Sequence, residues 1–279
     1  MKTTILSLFL FFSLYLYSQE SRIEYCMMPC KLLQGVTVRE YTVYLPKDFD
    51  KNIDKRYDVL YLLHGGGCTN TDWEQFGALK AKADSLINSG DADEMVIVCP
   101  EANKNNMIWF DAPLWKYEDF FFNEFIPYIE NKYRCKGSKE SRSVAGYSMG
   151  GGASMVYAMH HPEMFNTAYG LSSYLYKIHL DFLNNDPSGE WRQNVIDANN
   201  PIKTISAVSD SNIRALRGVN WFIDCGDDDF TFDMNIELIQ AMRKKGIPYQ
   251  FRSRNGGHDW SYWGPSLNEI IKTAFNKSI

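Results

Sequence analysis

The amino-acid sequence predicts an α/β fold with a mainly parallel central sheet and helices on both faces. Short apolar segments alternate along the chain with longer segments of helical periodicity, the order that parallel strands and crossover helices produce. Two of the short segments, 59–63 and 95–99, are continuous apolar runs, as expected of strands buried on both faces. The 279 residues are 45% hydrophobic, which is enough for one substantial core in a single domain.

Periodicity places the elements in order along the chain. The predicted strands are 36–45, 59–63, 95–99, 142–145, 167–171, 219–225 and 248–252. The predicted helices are 73–86, 117–133, 153–160, 234–244 and 265–275. Segment 172–217 is polar, rich in Asn, Asp and Ser, and fits this alternation poorly. We interpret it as a helical or irregular insertion between the helix after 146–150 and the strand at 219–225, too short for a separate domain.

The first 18 residues predict an export signal. Lys2 gives a short positive region, 5–17 is apolar, and Ser18 is a small residue followed by polar sequence. The apolar stretch is short for a membrane span, so we expect cleavage after Ser18 and a mature domain of residues 19–279. That domain is expected to be periplasmic or secreted, with no stable membrane insertion. The alternative is an uncleaved anchor.

Charge and cysteine usage limit the possible partners. The net charge is −5 and the chain has no long basic run, which argues against nucleic acid as a partner. No cysteine or histidine spacing is typical of a metal site, so no metal is expected. Cys99 and Cys225 end predicted buried strands and are expected to be core thiols. Cys26 and Cys30 are near enough in sequence to pair in an oxidising compartment, and the spacing leaves that pairing open.

The pattern G-x-S-x-G at 146–150, with Ser148 at its centre, predicts a nucleophile. A β-prone run precedes it and a helix-prone run follows, which is the context of a nucleophile elbow. In such an elbow a strained turn holds the serine hydroxyl above the sheet, and the glycines leave room for it. The alternative is a glycine-rich turn that serves packing alone. Catalysis also requires a base, an acid and an oxyanion hole.

His258 is the predicted base among the five histidines. It lies in the loop between the last predicted strand and the last predicted helix, where a serine hydrolase of this chain order carries its histidine. His160 and His161 end the helix after the elbow, far from its start, and are expected to be surface or packing residues. His179 lies in the insertion.

The acid is expected to follow the strand at 219–225. Three aspartates stand there, Asp227, Asp228 and Asp229, and any of them could accept the imidazole N–H and fix its tautomer. The residues by themselves leave the three as alternatives, two of which would belong to a solvated turn.

The segment 62–67, Leu-Leu-His-Gly-Gly-Gly, follows a predicted buried strand and predicts an oxyanion loop. Glycines allow backbone N–H groups to approach a developing oxyanion closely. We expect one donor near Gly66 and the other at Met149, immediately after the nucleophile. His64 is expected to order the loop, not to act as the base.

With these motifs the chain resembles the esterase D-like group of α/β-hydrolases, carbohydrate esterase family 1, which includes feruloyl and acetyl xylan esterases. The matching segments are 44–46, 59–66, 146–151, 225–230 and 256–260, with Trp263. The resemblance covers most of 37–275 outside the insertion. It implies an α/β-hydrolase fold and a serine esterase without a cofactor, which the predicted signal would export. In that family the acid commonly stands three residues after the glycine that ends the strand, which implies Asp229, and the oxyanion donor falls on Gly66.

The resemblance further implies a feruloylated or acetylated xylan or oligosaccharide as substrate, with feruloyl esters slightly ahead of acetyl esters. Other esters (a siderophore ester or S-formylglutathione), acyl transfer and non-catalytic glycan binding are the alternatives. Trp109, Trp115, Trp260 and Trp263 are expected to line the acyl pocket, the alternative being that they belong to the core.

Overall fold

The computed structural model describes residues 19–102, 108–113, 115–179 and 189–275. The signal expected at residues 1–18 lies outside them. The strands of the main sheet are β1 (Arg22–Pro29), β2 (Val38–Leu45), β3 (Asp58–Leu63), β4 (Met95–Pro100), β7 (Arg142–Tyr147), β8 (Thr167–Leu171), β9 (Asn220–Asp224) and β10 (Gln250–Arg252). A separate two-stranded pair consists of β5 (Asp111–Ala112) and β6 (Trp115–Lys116).

Strand pairing confirms the mainly parallel sheet. Among the described residues the strand order is β1-β2-β4-β3-β7-β8-β9-β10. Strand β2 runs antiparallel to β1 and to β4. The remaining strands of this sheet, β4, β3, β7, β8, β9 and β10, are mutually parallel. The carboxyl ends of β3, β7, β9 and β10 therefore meet at one edge, which is where doubly wound sheets carry their sites. The loops that leave these four strands carry the sequence motifs.

Helices cover both faces of this sheet. They are α1 (Asp72–Gln75), α2 (Leu79–Ser89), α3 (Tyr117–Phe120), α4 (Ile126–Lys132), α5 (Met149–His160), α6 (Gly189–Ala198), α7 (Pro201–Ala207), α8 (Asp210–Leu216), α9 (Phe232–Lys244) and α10 (Trp260–Thr273). Helices α2 and α10 pack on one face, and α4, α5 and α9 pack on the other. The three helices of the insertion, α6, α7 and α8, each bury one isoleucine in the core that α4, α5 and α9 form with the sheet. These residues are Ile196, Ile205 and Ile213. No helix in the described ranges is long and apolar enough to span a membrane.

Two helices begin earlier than predicted: α5 begins at Met149 and not at 153, and α10 begins at Trp260 and not at 265. Two other predicted helices are interrupted. The helix expected at 73–86 is interrupted between α1 and α2, because Ala78 has a left-handed backbone with φ of 54°. The helix expected at 117–133 contains a π-helical turn, Phe121–Phe125, between α3 and α4. Pro127 follows this turn. Because proline has no N–H, the regular hydrogen-bond pattern of an α-helix cannot continue unchanged through it.

The edge strand β1 was not visible in the sequence pattern. Tyr25 and Met27 are more than 60% exposed on it, so apolar residues do not mark a single buried face. Cys26 lies within β1 and Cys30 just beyond it, and both thiols are free. Four residues of extended chain separate their Cα atoms by roughly 13 Å, too far for the disulfide left open above. Cys99 and Cys225 are buried thiols, as predicted.

Candidate active site

Ser148 occupies the turn between β7 and α5 in a strained conformation, with φ of 55° and ψ of −120°. Few non-glycine residues adopt such a backbone unless the surroundings hold it. Here the Ser148 amide donates to the Leu171 carbonyl at 2.9 Å, and the Ser148 carbonyl accepts from the amides of Gly152 and Tyr174, each at 3.0 Å. These bonds hold the turn against the end of β8 and against the first turn of α5.

Gly150 lets the same turn close against the neighbouring strand. A Cβ atom at Gly150 would lie 2.7 Å from the Leu63 carbonyl oxygen and would overlap the carbonyl oxygen of His64. Both obstacles are backbone atoms of the segment at the end of β3, which cannot move aside as a side chain could. The glycine of the G-x-S-x-G pattern is therefore required by close backbone approach.

Ser148, His258 and Asp229 form one hydrogen-bonded chain. His258 Nε2 lies 2.9 Å from Ser148 Oγ, and His258 Nδ1 lies 2.9 Å from both carboxylate oxygens of Asp229. Thr231 steadies the carboxylate, because its amide and its hydroxyl donate to Asp229 Oδ1 at 2.8 and 2.7 Å. This arrangement can hold the Nδ1–H tautomer of His258, which leaves Nε2 free to accept the serine proton.

The environment of Asp229 keeps it ionised. Burial alone would raise the pKa of this carboxyl, but the hydrogen bond and the charge of His258, with the two bonds from Thr231, hold it below its ordinary value. The adjacent aspartates are arranged differently. Asp227 and Asp228 are exposed, and Asp227 Oδ1 accepts from the Gly256 amide at 3.1 Å. Among the three aspartates, Asp229 is the one in contact with His258.

The imidazole of His258 lies between two aromatic rings. Trp263 stands nearly perpendicular to it with ring centroids 4.9 Å apart, and Phe230 lies 4.4 Å away on the other loop. Trp263 is fixed in turn, because its indole N–H donates to Ser172 Oγ at 3.0 Å. The Phe230 ring is 46% exposed, so it offers apolar surface beside the histidine.

The glycine loop after β3 lies against the nucleophile. A Cβ at Gly65 would be 3.3 Å from the Cβ of Ser148, and a Cβ at Gly66 would overlap the sulfur of Met149. Met149 is the first residue of α5, so its amide has no acceptor within the helix. The positive end of the helix dipole also points here. The loop of Gly65 and Gly66 therefore packs directly against Ser148 and the Met149 side chain at the start of α5.

His64 is locked beneath this loop as a neutral imidazole. Its Nδ1 donates to the Gly65 carbonyl at 2.8 Å, and its Nε2 accepts from the Ala102 amide at 3.1 Å. Burial lowers the pKa of His64, although Glu101 at 3.7 Å acts in the opposite direction. With both ring nitrogens occupied, His64 orders the loop and is not free to act as a base.

Comparison with known proteins identifies the relatives of this chain. The model of the Esterase family matches residues 37–274. The chain belongs to the Esterase family. A solved ferulic acid esterase superposes with a TM-score of 0.86 at 41% identity, covering 92% of this chain and 98% of that chain. The α/β-hydrolase fold is thereby confirmed, and the protein is a serine ester hydrolase, as predicted.

Curated relatives extend this picture. An acetyl esterase of Caldicellulosiruptor saccharolyticus is 28% identical over 242 residues, which is 82% of this chain and 86% of the relative. An endo-1,4-beta-xylanase/feruloyl esterase of Xylanibacter ruminicola is 25% identical over 240 residues, 84% of this chain but 29% of the relative. The chain also spans 51% of the length of two esterases of Mycobacterium tuberculosis that it matches.

Two of the four tryptophans expected in the acyl pocket are core residues of this esterase. Trp109 and Trp115 are 2% and 1% exposed, which leaves almost no ring surface for a ligand, so this expectation was wrong for both. Trp109 donates to the His64 carbonyl at 3.2 Å, and Trp115 donates to the Ile108 carbonyl at 3.0 Å. Both indoles satisfy buried backbone carbonyls near the oxyanion loop.

The other two tryptophans lie near the loop that carries His258. Trp263 braces His258, as described above. Trp260 is partly exposed and packs at 5.0 Å against Tyr147, the residue before the nucleophile, and at 5.6 Å against Phe76. Phe76 is itself largely exposed. A role for Trp260 in binding substrate stays a prediction.

His160 and His161 lie away from Ser148. His160 Nδ1 lies 2.7 Å from Glu118 Oε1 at the far end of α5, and His161 lies near the same carboxylate. His179 is exposed in the insertion.

Sequence reasoning missed Thr231, Ser172 and Phe230. Thr231 had a usable signal, because an aspartate carboxylate commonly accepts from the backbone two residues further on. Ser172 contacts Trp263 only through the tertiary fold.

Proposed function

We propose that this esterase is exported and hydrolyses feruloyl esters of plant cell-wall xylan through a Ser148–His258–Asp229 triad. The observation that carries the acyl preference is the 41% identity to a ferulic acid esterase over nearly the whole length of both chains. The relative that combines a xylanase with a feruloyl esterase supports xylan as the carrier of the ester. The hydrogen-bonded chain from Ser148 to Asp229 supports the triad.

The geometry accounts for each step of the proposed reaction. Ser148 Oγ attacks the ester carbonyl carbon while His258 Nε2 accepts its proton, and Asp229 stabilises the imidazolium that forms. The carbonyl oxygen becomes an oxyanion that accepts hydrogen bonds from the amides of Gly66 and Met149.

The tetrahedral intermediate then collapses. The bond to the alcohol oxygen breaks, and His258 donates its proton to the departing sugar hydroxyl. Water repeats the sequence on the acyl-enzyme, giving its proton to His258 and releasing the free acid. The proton returns to Ser148 Oγ, so the cycle consumes one ester and one water and needs no cofactor.

Acetyl esters are the second candidate, because the acetyl esterase relative covers most of both chains. A panel of methyl ferulate, acetylated xylan, an aryl acetate and S-formylglutathione separates the two. The feruloyl proposal predicts a higher kcat/KM for methyl ferulate than for the aryl acetate, since the extra aromatic contacts must stabilise the transition state. Release of acetate from xylan with no detectable ferulate release would replace it with the acetyl proposal.

Export has its own test. The full chain is expressed with its own first 18 residues in a bacterial host, and the exported protein is sequenced from its amino terminus. We expect the sequence to begin at Gln19. Protein that stays in the cytoplasmic fraction with residues 1–18 attached would contradict the proposal.

A further inference from the structure

Asp224 is a fully buried carboxylate that the proposed chemistry does not use. It is the last residue of β9, and the loop that follows it carries Asp229. Its Oδ2 accepts from the Tyr169 hydroxyl of β8 at 2.8 Å, and its Oδ1 accepts from the Tyr262 hydroxyl of α10 at 2.6 Å. A buried charge is costly unless it is fully hydrogen-bonded, so a carboxylate at this place requires an explanation.

The Oδ1 side of this carboxylate faces the loop that carries His258. Arg254 Nη1 lies 3.8 Å from Asp224 Oδ1, near the start of that loop. The same guanidinium stacks 3.7 Å from the Tyr262 ring and donates to Ser266 Oγ at 2.8 Å and to the Tyr262 carbonyl. Arg254 and Tyr262 stand four residues before and four residues after His258. Asp224 therefore contacts both ends of the histidine loop.

Backbone hydrogen bonds also join the loop that carries Asp229 to the loop that carries His258. The Asp227 amide donates to the Arg254 carbonyl at 3.2 Å, and the Asp228 amide donates to the Gly256 carbonyl at 3.1 Å. A Cβ at Gly226 would overlap the Gly256 carbonyl, so the loops are in direct backbone contact. The 2.9 Å contact between Asp229 and His258 depends on how these two loops are aligned with each other. Asp224 lies where the first of the two loops leaves β9.

We propose that Asp224 is a positioning residue that sets the register between the loop of Asp229 and the loop of His258. It acts through Tyr262 and Arg254, whereas its hydrogen bond from Tyr169 links only strands β8 and β9. The inference rests on the proposed triad. A small change in register matters because a misplacement of about 1 Å in a catalytic group can cost about 100-fold in rate.

The two tyrosines provide a matched pair for the test. Tyr262→Phe and Tyr169→Phe each remove one hydroxyl from the same carboxylate, one toward the histidine loop and one toward β8. Active enzyme is counted by fluorophosphonate titration, and kcat, KM and Tm are measured with the best substrate of the panel. We expect Tyr262→Phe to lower kcat by about 10-fold with KM unchanged, and Tyr169→Phe to retain kcat within about twofold. Both should lower Tm, because each leaves a buried carboxylate oxygen short of a partner.

A purely structural role would move Tm in both variants without separating their kcat values. A kcat ratio between the two variants below about 3, or a larger loss in Tyr169→Phe, would overturn the proposal. A larger KM effect than kcat effect in Tyr262→Phe would also overturn it. Failure of the proposed triad is distinguishable, because it would appear as full activity in Ser148→Ala, whatever the tyrosine variants do.

Discussion

His258 Nε2 lies 2.9 Å from Ser148 Oγ, although 110 positions separate the two residues in the sequence. The parallel sheet brings them together, because β7 and β10 end at the same edge and each residue lies in the loop that follows its strand. Asp229 follows β9 at the same edge and lies 2.9 Å from the other ring nitrogen. The contact depends on a strained serine backbone on one side and on two interlocked loops on the other.

Replacing Ser148 with alanine is expected to abolish ester hydrolysis. The change removes the atom that attacks the carbonyl, and comparable losses in triad enzymes are about 10⁶-fold in kcat. The measurement is kcat on the best substrate of the panel, with circular dichroism and Tm to show that the fold is retained. Ser206→Ala, at an exposed serine of α7, is the control and should keep wild-type activity. Residual activity near wild type in Ser148→Ala would remove Ser148 from the mechanism.

Asp229→Asn is expected to cost far more activity than Asp227→Asn or Asp228→Asn. An amide at position 229 would favour the wrong tautomer of His258, with a loss of about 10⁴-fold in kcat. The Asp227→Asn variant keeps a side-chain oxygen that can accept from the Gly256 amide, and Asp228 is exposed, so both controls should stay within about tenfold of wild type. The assignment of the acid is wrong if Asp228→Asn proves the damaging change and Asp229→Asn is mild.

The free energy of unfolding should depend on pH through Asp229. Because the folded-state pKa of this carboxyl lies below its ordinary value of 3.8, its contribution is present above that value and is lost as the pH falls through the folded pKa. We therefore expect the stability of wild type relative to Asp229→Asn to fall as the pH is lowered from about 5 to about 2. Urea unfolding of both proteins across this range measures the difference. A difference that is constant, or that grows at low pH, would contradict the lowered pKa.

Two glycine substitutions should differ sharply in their effects. Gly150→Ala places a Cβ against the backbone of Leu63 and His64, so we expect little folded, active enzyme. Gly264→Ala lies within α10 and meets nothing closer than Lys82 Nζ at 3.7 Å. It should leave the enzyme soluble and active, because the Cβ has room there. No gain in stability is expected, because Pro265 disfavours helical backbone at a preceding residue that carries a Cβ. Soluble yield, activity and urea unfolding report on both. Wild-type activity in Gly150→Ala would show that the elbow tolerates a side chain.

Local motifs predicted much of this site, because each has a geometric requirement that its own residues reveal. The glycines around Ser148 and the run at 65–67 permit close backbone approach, and His258 was identified by its place between the last strand and the last helix. Asp229 was harder, since three adjacent aspartates have the same chemistry. Its selection came from a family resemblance, and the structure distinguishes it by the bonds from Thr231 and His258.

Features that depend on long-range packing were not predictable. Trp109 and Trp115 are aromatic residues of the kind that line substrate pockets, yet both rings are buried in the core. The spacing of residues in the sequence does not show which aromatic rings will be buried. Strand β1 was missed because an edge strand with exposed Tyr25 and Met27 shows its nature only through its pairing with β2. The break at Ala78 was missed as well, because Gly77 is a weak local signal. In the structure the Glu74 carboxylate accepts from the Lys80 amide at 2.8 Å where α2 begins.

Phe230 provides the most direct test of the acyl preference. Its half-exposed ring lies 4.4 Å from His258, where a planar feruloyl group could pack against it but an acetyl group offers little to contact. Such aromatic contacts contribute about 0.5–1.5 kcal/mol, so Phe230→Ala should lower kcat/KM for methyl ferulate about 2- to 10-fold more than for an aryl acetate. Using the ratio cancels any loss that comes from looser packing of His258, which affects both substrates alike. Phe251→Ala, at an exposed phenylalanine of β10, is the matched control and should leave the ratio unchanged. If Phe230→Ala lowers kcat/KM equally for both substrates, the ring supports the position of His258 and does not contribute to recognition of the acyl group.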